Sequence, residues 1–348
     1  MSRGTRVRER LRRLNPSTWL SVVVGLGAVA ALIVLIHPNL LGRALTHFDL
    51  ALIPAIVVTS LAYYVLQGVR WQFLLRDAAV RLPMMGTVLL NLAGQATTLL
   101  PLGELTRAVL VTQAAEAEFG DVLATITVQE LIYTLLLIVL AVPGLFEFHL
   151  SPAIPFAALS AACLALGVLT IPPLFNQIHG LVTRIPGLER FAGPLGQLQQ
   201  ETVELLHRPD TAGWSLISLA QAAAMVTAFW LVVTALAPAA LSWPEAASIY
   251  ALSSIAGAVS LIPGGIGASE AALAGLLIGA GLAPATATGV ALMQRLADKG
   301  IATVSGFVAY GVARPRYHLS GLFSLRPRRE RTGGAVGGGL AAGPAPQS

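Results

Sequence analysis

The sequence predicts an all-α membrane protein, a polytopic helical bundle with two inverted repeats that each contain a re-entrant broken helix. Three observations carry that expectation. The 348 residues are 55% hydrophobic and only 11% charged, whereas a soluble domain carries about 25% charged residues. Several apolar runs are long enough to cross a bilayer, which takes about 20 residues each. Two further apolar runs, one in each half of the chain, are interrupted by proline and glycine beside an acidic residue.

Taken in chain order, residues 1–18 are a basic stretch opening "MSRGTRVRERLRRLNPS". The apolar run that follows, 20–36, exceeds the roughly 7–15 residues of a signal-peptide core and lacks a convincing cleavage site, so it reads as a retained first span. Further spans are expected at 50–66, 122–142, 155–175, 214–236 and 286–310. Arg70, Arg76 and Arg81 follow the second span, Arg184, Arg190 and Arg208 the fourth, and "ARPRYHLSGLFSLRPRRER" the last. The alternate loops hold a single cation, Arg43. The positive-inside rule then places both termini in the cytoplasm, in the inner cell membrane. The formal charge of +5 is almost entirely arginine, with Lys299 the one lysine, a distribution suited to an anionic leaflet rather than to nucleic acid. The expected domain covers 19–312, with repeat one at 50–175, an interfacial linker at 176–210 and repeat two at 211–312. A basic, Gly/Ala/Pro-rich tail, 313–348, is expected to be disordered.

The two broken runs are "GTVLLNLAGQATTLLPLGELTRAVLV" (86–111) and "ASIYALSSIAGAVSLIPGGIGASEAALAGLLIGAGL" (247–282). They resemble each other as weak internal copies and enter the membrane from opposite sides if the spans are right, the mark of an inverted repeat. Irregular backbone survives in hydrocarbon only when buried in protein or facing a watery cavity. The breaks at Pro101 and Gly103, and at Pro263, Gly264, Gly265 and Gly267, therefore predict two re-entrant hairpins whose tips meet inside the bundle. Each restarting half-helix presents free N–H groups and a positive end to a carboxylate or phosphate. Glu104 and Glu270 stand at those restarts. The plain alternative is a helix-start role favoured by the dipole, but a charge at membrane depth costs about 2.5–3.5 kcal/mol and usually marks a pathway. Gly275 and Gly279 are expected to serve close helix packing.

Other polar residues fall at membrane depth. Arg107 lies three residues past Glu104 on the same helix face, and Gln129 and Glu130 interrupt the third span. Arg295, Asp298 and Lys299 share a face of the last span, where Arg295 and Asp298 could pair. Asn91 and Gln95 lie one turn apart in the first hairpin. The candidate substrate-binding set is thus Glu104, Arg107, Glu130, Glu270, Arg295, Asp298 and Lys299. Cys163 is the one cysteine, which excludes an intrachain disulfide and a multi-cysteine metal site, and no metal or cofactor is expected.

These motifs carry a resemblance. "LPLGELTRA" with the later "VQELIY", and above all "IPGGIGASEAAL" followed by "ALMQRL", resemble the transmembrane region of lysylphosphatidylglycerol synthases, a flippase-like membrane family, across residues 50–310. The resemblance implies a polytopic bundle with inverted repeats and re-entrant helices that binds or moves membrane lipids, such as aminoacylated phosphatidylglycerol or polyprenyl-linked glycolipids. Pro101, Gly103, Glu104 and Arg107 match the first signature, Glu130 an acidic position in the third span. Pro263, Gly264, Gly265, Gly267 and Glu270 match the second signature, and Arg295 the basic residue after it. Two departures stand out: only Leu102 separates Pro101 from Gly103, and Leu131 follows Glu130 where an arginine is common. The tail holds nothing resembling a soluble aminoacyl-transferase domain, so enzymatic activity is not expected.

Three functions remain open at this level. The first is binding and flipping of a phospholipid or polyprenyl-linked glycolipid headgroup. The second is ion-coupled transport of a small solute, which broken helices serve equally well. The third is a non-catalytic accessory role beside a glycolipid-synthesising enzyme. The sequence contains no P-loop, H-E-x-x-H or G-x-S-x-G.

Overall fold

The computed structural model describes residues 48–99, 105–147, 171–182, 209–259 and 267–323, with isolated positions at 46, 103, 160, 164, 167, 184, 199 and 203. The expected first span at 20–36, most of the span at 155–175, most of the linker and the end of the tail lie outside the described residues. So do Pro101, Glu104, Pro263, Gly264 and Gly265.

The described chain is helical. Asp49 accepts a hydrogen bond from Ala51 N at 3.0 Å and starts a 3₁₀ turn, and a proline in the first turn then leads α1, Ile53–Asp77. Its 25 residues span about 37 Å at 1.5 Å per residue. The sequence reading ended this span at 66 and put Arg70 and Arg76 in a basic loop. Both lie within α1, and Arg70 is fully buried, because packing rather than hydropathy holds the last turns. Next come α2, Met84–Gly94, with a 3₁₀ turn at Gln95–Thr97, then α3, Leu105–Ala115, and α4, Phe119–Glu147. A short helix, α5, Pro172–Val182, precedes the second group: α6, Pro209–Leu236; α7, Trp243–Val259; α8, Ala268–Gly279; and α9, Pro284–Arg295. α9 passes through a π turn, Leu296–Gly300, directly into α10, Ile301–Tyr317. The expected tail boundary at 313 therefore falls inside α10. Beyond it Ser320 and Gly321 are tied to Gln113 of α3.

Among the described residues, three helices are long and apolar enough to cross a bilayer: Leu50–Asp77, Phe119–Gly144 and Leu216–Leu236. They coincide with the expected spans at 50–66, 122–142 and 214–236.

The second group repeats the first in order, a long helix, two short ones, then a long rod. α1 packs lengthwise against α6, the opening helix of the other group. Two further extensive contacts between the groups are crossed, with α7 of the second group on α4 of the first and α10 of the second on α2 of the first. Both crossings bring backbone against backbone at a glycine. A Cβ on Gly144 would fall on the Pro244 carbonyl, and one on Gly306 would fall on the Ala96 backbone and 2.7 Å from the Gln95 carbonyl carbon.

Candidate functional site

The first cluster forms where α3 meets α4. A side chain on Gly94 would strike the Arg107 backbone, so the bare glycine lets α3 press against the end of α2 and sets the depth of Arg107. Thr97 Oγ1 fastens the same corner, bonding to the Gly103 carbonyl at 2.9 Å and to Thr106 Oγ1 at 2.7 Å. The Arg107 guanidinium donates to Glu130 Oε1 at 2.6 Å and to Gln129 Oε1 at 3.4 Å. It also lies 5.7 Å from the centre of the Trp71 ring, within cation–π range. The two charges are unequally covered, with the arginine side chain 1% exposed and the glutamate 37%.

The second cluster forms where α8 meets α9. Gly267, at φ 86°, caps α8, and its N–H donates to Glu270 Oε2 at 2.7 Å. The other oxygen, Oε1, accepts from Arg295 Nη1. Glu270 therefore performs the helix-start role and the ionic role together. Again the arginine is the more buried partner, 8% against 21% exposed. The order of charge is reversed between the clusters. In the first, the short helix α3 brings the base and the long helix α4 the acid; in the second, the short helix α8 brings the acid.

A polar stripe on α1 runs from the first cluster to Asp298, three residues past Arg295. Tyr64 OH donates to Asp298 Oδ1 at 2.5 Å, in the π turn just after Arg295. The Tyr64 carbonyl accepts from Asn91 Nδ2 at 3.0 Å, and the same amide donates to Gln67 Oε1 at 3.1 Å. Gln95 also donates to Gln67 Oε1, at 3.2 Å, and Gln67 Nε2 reaches Glu130 Oε1 at 3.4 Å. Gln129 Nε2 bonds the Gln67 carbonyl at 2.6 Å. Hydrogen bonds thus link Arg107 and Glu130 through Gln67 and Asn91 to the Tyr64 carbonyl, and the hydroxyl at the other end of Tyr64 meets Asp298, where Lys299 Nζ lies 3.7 Å from Oδ2.

Of the expected site residues, Arg107 and Glu130 form one pair and Glu270 and Arg295 the other, while Asp298 and Lys299 lie at the junction. Gly103 and Gly267 are placed at the starts of α3 and α8. The residues the sequence reading missed are Tyr64 and Gln67. A signal existed: Ser60, Tyr64, Gln67 and Trp71 recur at helical spacing along α1, a polar stripe inside an apolar span. The small-residue face at Gly275 meets no neighbour, since a Cβ there would touch nothing within 4 Å. The expected close packing at that position is therefore not made within the described residues.

Long apolar helices with ion pairs packed among them define a helical membrane protein. The chain belongs to the lysylphosphatidylglycerol synthase TM region family, whose model matches residues 19–306. A search of curated proteins finds no match.

Proposed function

We propose that this chain binds the polar headgroup of a membrane lipid between its two helix groups and moves it from one leaflet to the other. The observation that carries this reading is the presence of two charge-reversed ion pairs, with the Tyr64–Asp298 hydrogen bond three residues along the rod from Arg295. A headgroup bearing both a phosphate and a cation would find each charge answered on either side of the junction. The carboxylates are the more accessible partners, so a cationic part of the headgroup meets Glu130 or Glu270 first. An anionic part would then compete for the arginine behind. Family membership supports a lipid substrate, with aminoacylated phospholipids and polyprenyl-linked glycolipids as the classes to test.

On this reading the two helix groups are inverted repeats and the segments around 101 and 263 are re-entrant. The crossed packing of α7 on α4 and of α10 on α2 supports it, because a two-fold relation would generate that exchange. The basic stretches at both ends support cytoplasmic termini in the inner membrane. No bond-making step is assigned to the chain.

The test is headgroup-labelled lipid scrambling in liposomes holding the purified protein, beside Glu270→Gln and Arg295→Ala. Both variants are expected to fold and to lose transport. Full transport in both would show that the site is wrong. Gradient-driven uptake of a soluble solute without scrambling would point to a solute transporter. Glycolipid loss on deletion, with no transport by the purified protein, would point to an accessory role.

A further inference from the structure

The tryptophan beside the first ion pair has a part that the lipid reading leaves unassigned. Both bonds that Glu130 makes across the helices end on one oxygen, Oε1, which accepts from Arg107 Nη2 at 2.6 Å and from Gln67 Nε2 at 3.4 Å. At 37% exposure the carboxylate can turn toward a cation arriving from outside. Arg107 cannot follow it. Its side chain is buried, and its backbone lies so close to Gly94 that one added carbon there would collide. Its Nε is buried without a hydrogen-bond partner among the described residues. With Glu130 drawn away, the guanidinium keeps a long bond to Gln129, at 3.4 Å, and the face of Trp71, 5.7 Å from the ring centre.

That face is fixed independently of Glu130. Trp71 is fully buried on α1. Its indole N–H donates to Thr125 Oγ1 at 2.8 Å, and the Thr125 hydroxyl donates to the Val122 carbonyl at 2.7 Å. A hydroxyl has one proton and two lone pairs, so with the proton on the carbonyl the oxygen is left as an acceptor for the indole. The edge of the ring is thereby tied to α4, about one turn before Gln129 and Glu130, and its face is left to the guanidinium. Tryptophan offers a cation the strongest aromatic face, and the attraction grows as water is excluded. A neutral ring also leaves the arginine its full charge for the anionic part of a headgroup, which a second carboxylate in that place would repel.

We propose that Trp71 is a positioning residue: its ring, fixed by Thr125, keeps Arg107 seated while Glu130 exchanges the arginine for a cation on the headgroup. The exchange rests on the lipid reading; the seating of Arg107 is a property of the chain alone.

The test replaces Trp71 site-specifically with mono-, di- and trifluorotryptophan, which withdraw negative charge from the face while nearly keeping the size of the ring and its N–H. Purified proteins are unfolded thermally in one detergent. The midpoint is expected to fall stepwise, by roughly one degree per fluorine. The fall should be steeper in Glu130→Gln, where Arg107 has lost its counterion, and absent in Arg107→Met, which has no cation to lose. A ring that only fills space would give no fall in the parent, or the same fall in Arg107→Met, and either result overturns the proposal. Should Glu130→Gln not survive purification, the parent against Arg107→Met decides it. In liposomes the scrambling rate is expected to drop in the same order as the midpoints, and a rate unchanged across the series also overturns the proposal. A parent that scrambles nothing overturns the lipid reading instead, and the unfolding series still decides whether the ring seats Arg107.

Discussion

Removing the acid of the first ion pair should harm the fold more than removing the base. In Glu130→Gln the Arg107 guanidinium, 1% exposed, keeps its charge without its counterion. Stranding a buried charge costs about 3–5 kcal/mol. Gln129 and the Trp71 face are neighbours before and after the change, so they offset none of it and the expected loss stays at about 3–5 kcal/mol. In Arg107→Met the stranded group is Glu130, 37% exposed, which can hydrate or take up a proton. Methionine fills much of the vacated space, so the loss should stay below about 2 kcal/mol. Because the double variant strands no charge, it should be more stable than Glu130→Gln alone. The assay is denaturant unfolding in a fixed detergent, comparing midpoints at constant slope, read as a double-mutant cycle. The reasoning is refuted if Arg107→Met costs more than Glu130→Gln, or if the double variant is the least stable of the three.

Three further outcomes follow from the packing. Gly306→Ala drives a methyl group into the Ala96 backbone and should cost about 1–3 kcal/mol, whereas Gly275→Ala, with open space around it, should be neutral in the same unfolding assay. Tyr64→Phe removes the donor to Asp298, a hydrogen bond to a charged group worth about 1.5–3 kcal/mol; unfolding midpoints measured beside Asp298→Asn should show strong non-additivity between the two changes. Gln113→Ala cuts the bonds to Ser320 and Gly321, so amide exchange at 319–321 should accelerate while α10 keeps its protection.

Much of the architecture was legible because hydropathy reports which segments prefer lipid, and three of the expected spans are long apolar helices. Helix ends were less legible. The apolar run in α1 stops near 66, yet burial of Arg70 and Trp71 against neighbouring helices carries it to Asp77. Arg107, Glu130, Glu270 and Arg295 drew notice singly, since charges are rare in such a chain. Their pairing was hidden, because Arg107 and Glu130 stand 23 residues apart and Glu270 and Arg295 stand 25 apart. No local spacing rule joins residues on different helices. Lys299 was read at membrane depth on a shared face of the last span, and it lies in the π turn beside Asp298. Tyr64 was passed over because an aromatic in an apolar span reads as filler, and only the fold sets Asp298 against its hydroxyl.

The π turn has a bearing on how the chain can vary. Each residue of an α-helix advances the rod by about 100°, so Leu296–Gly300 fixes the angular phase between Arg295 and Gly306. Deleting one residue there would leave Gly306 seated on Ala96 and swing the arginine roughly a quarter of a circle away from Glu270. Related chains that keep both contacts must hold this stretch to one length.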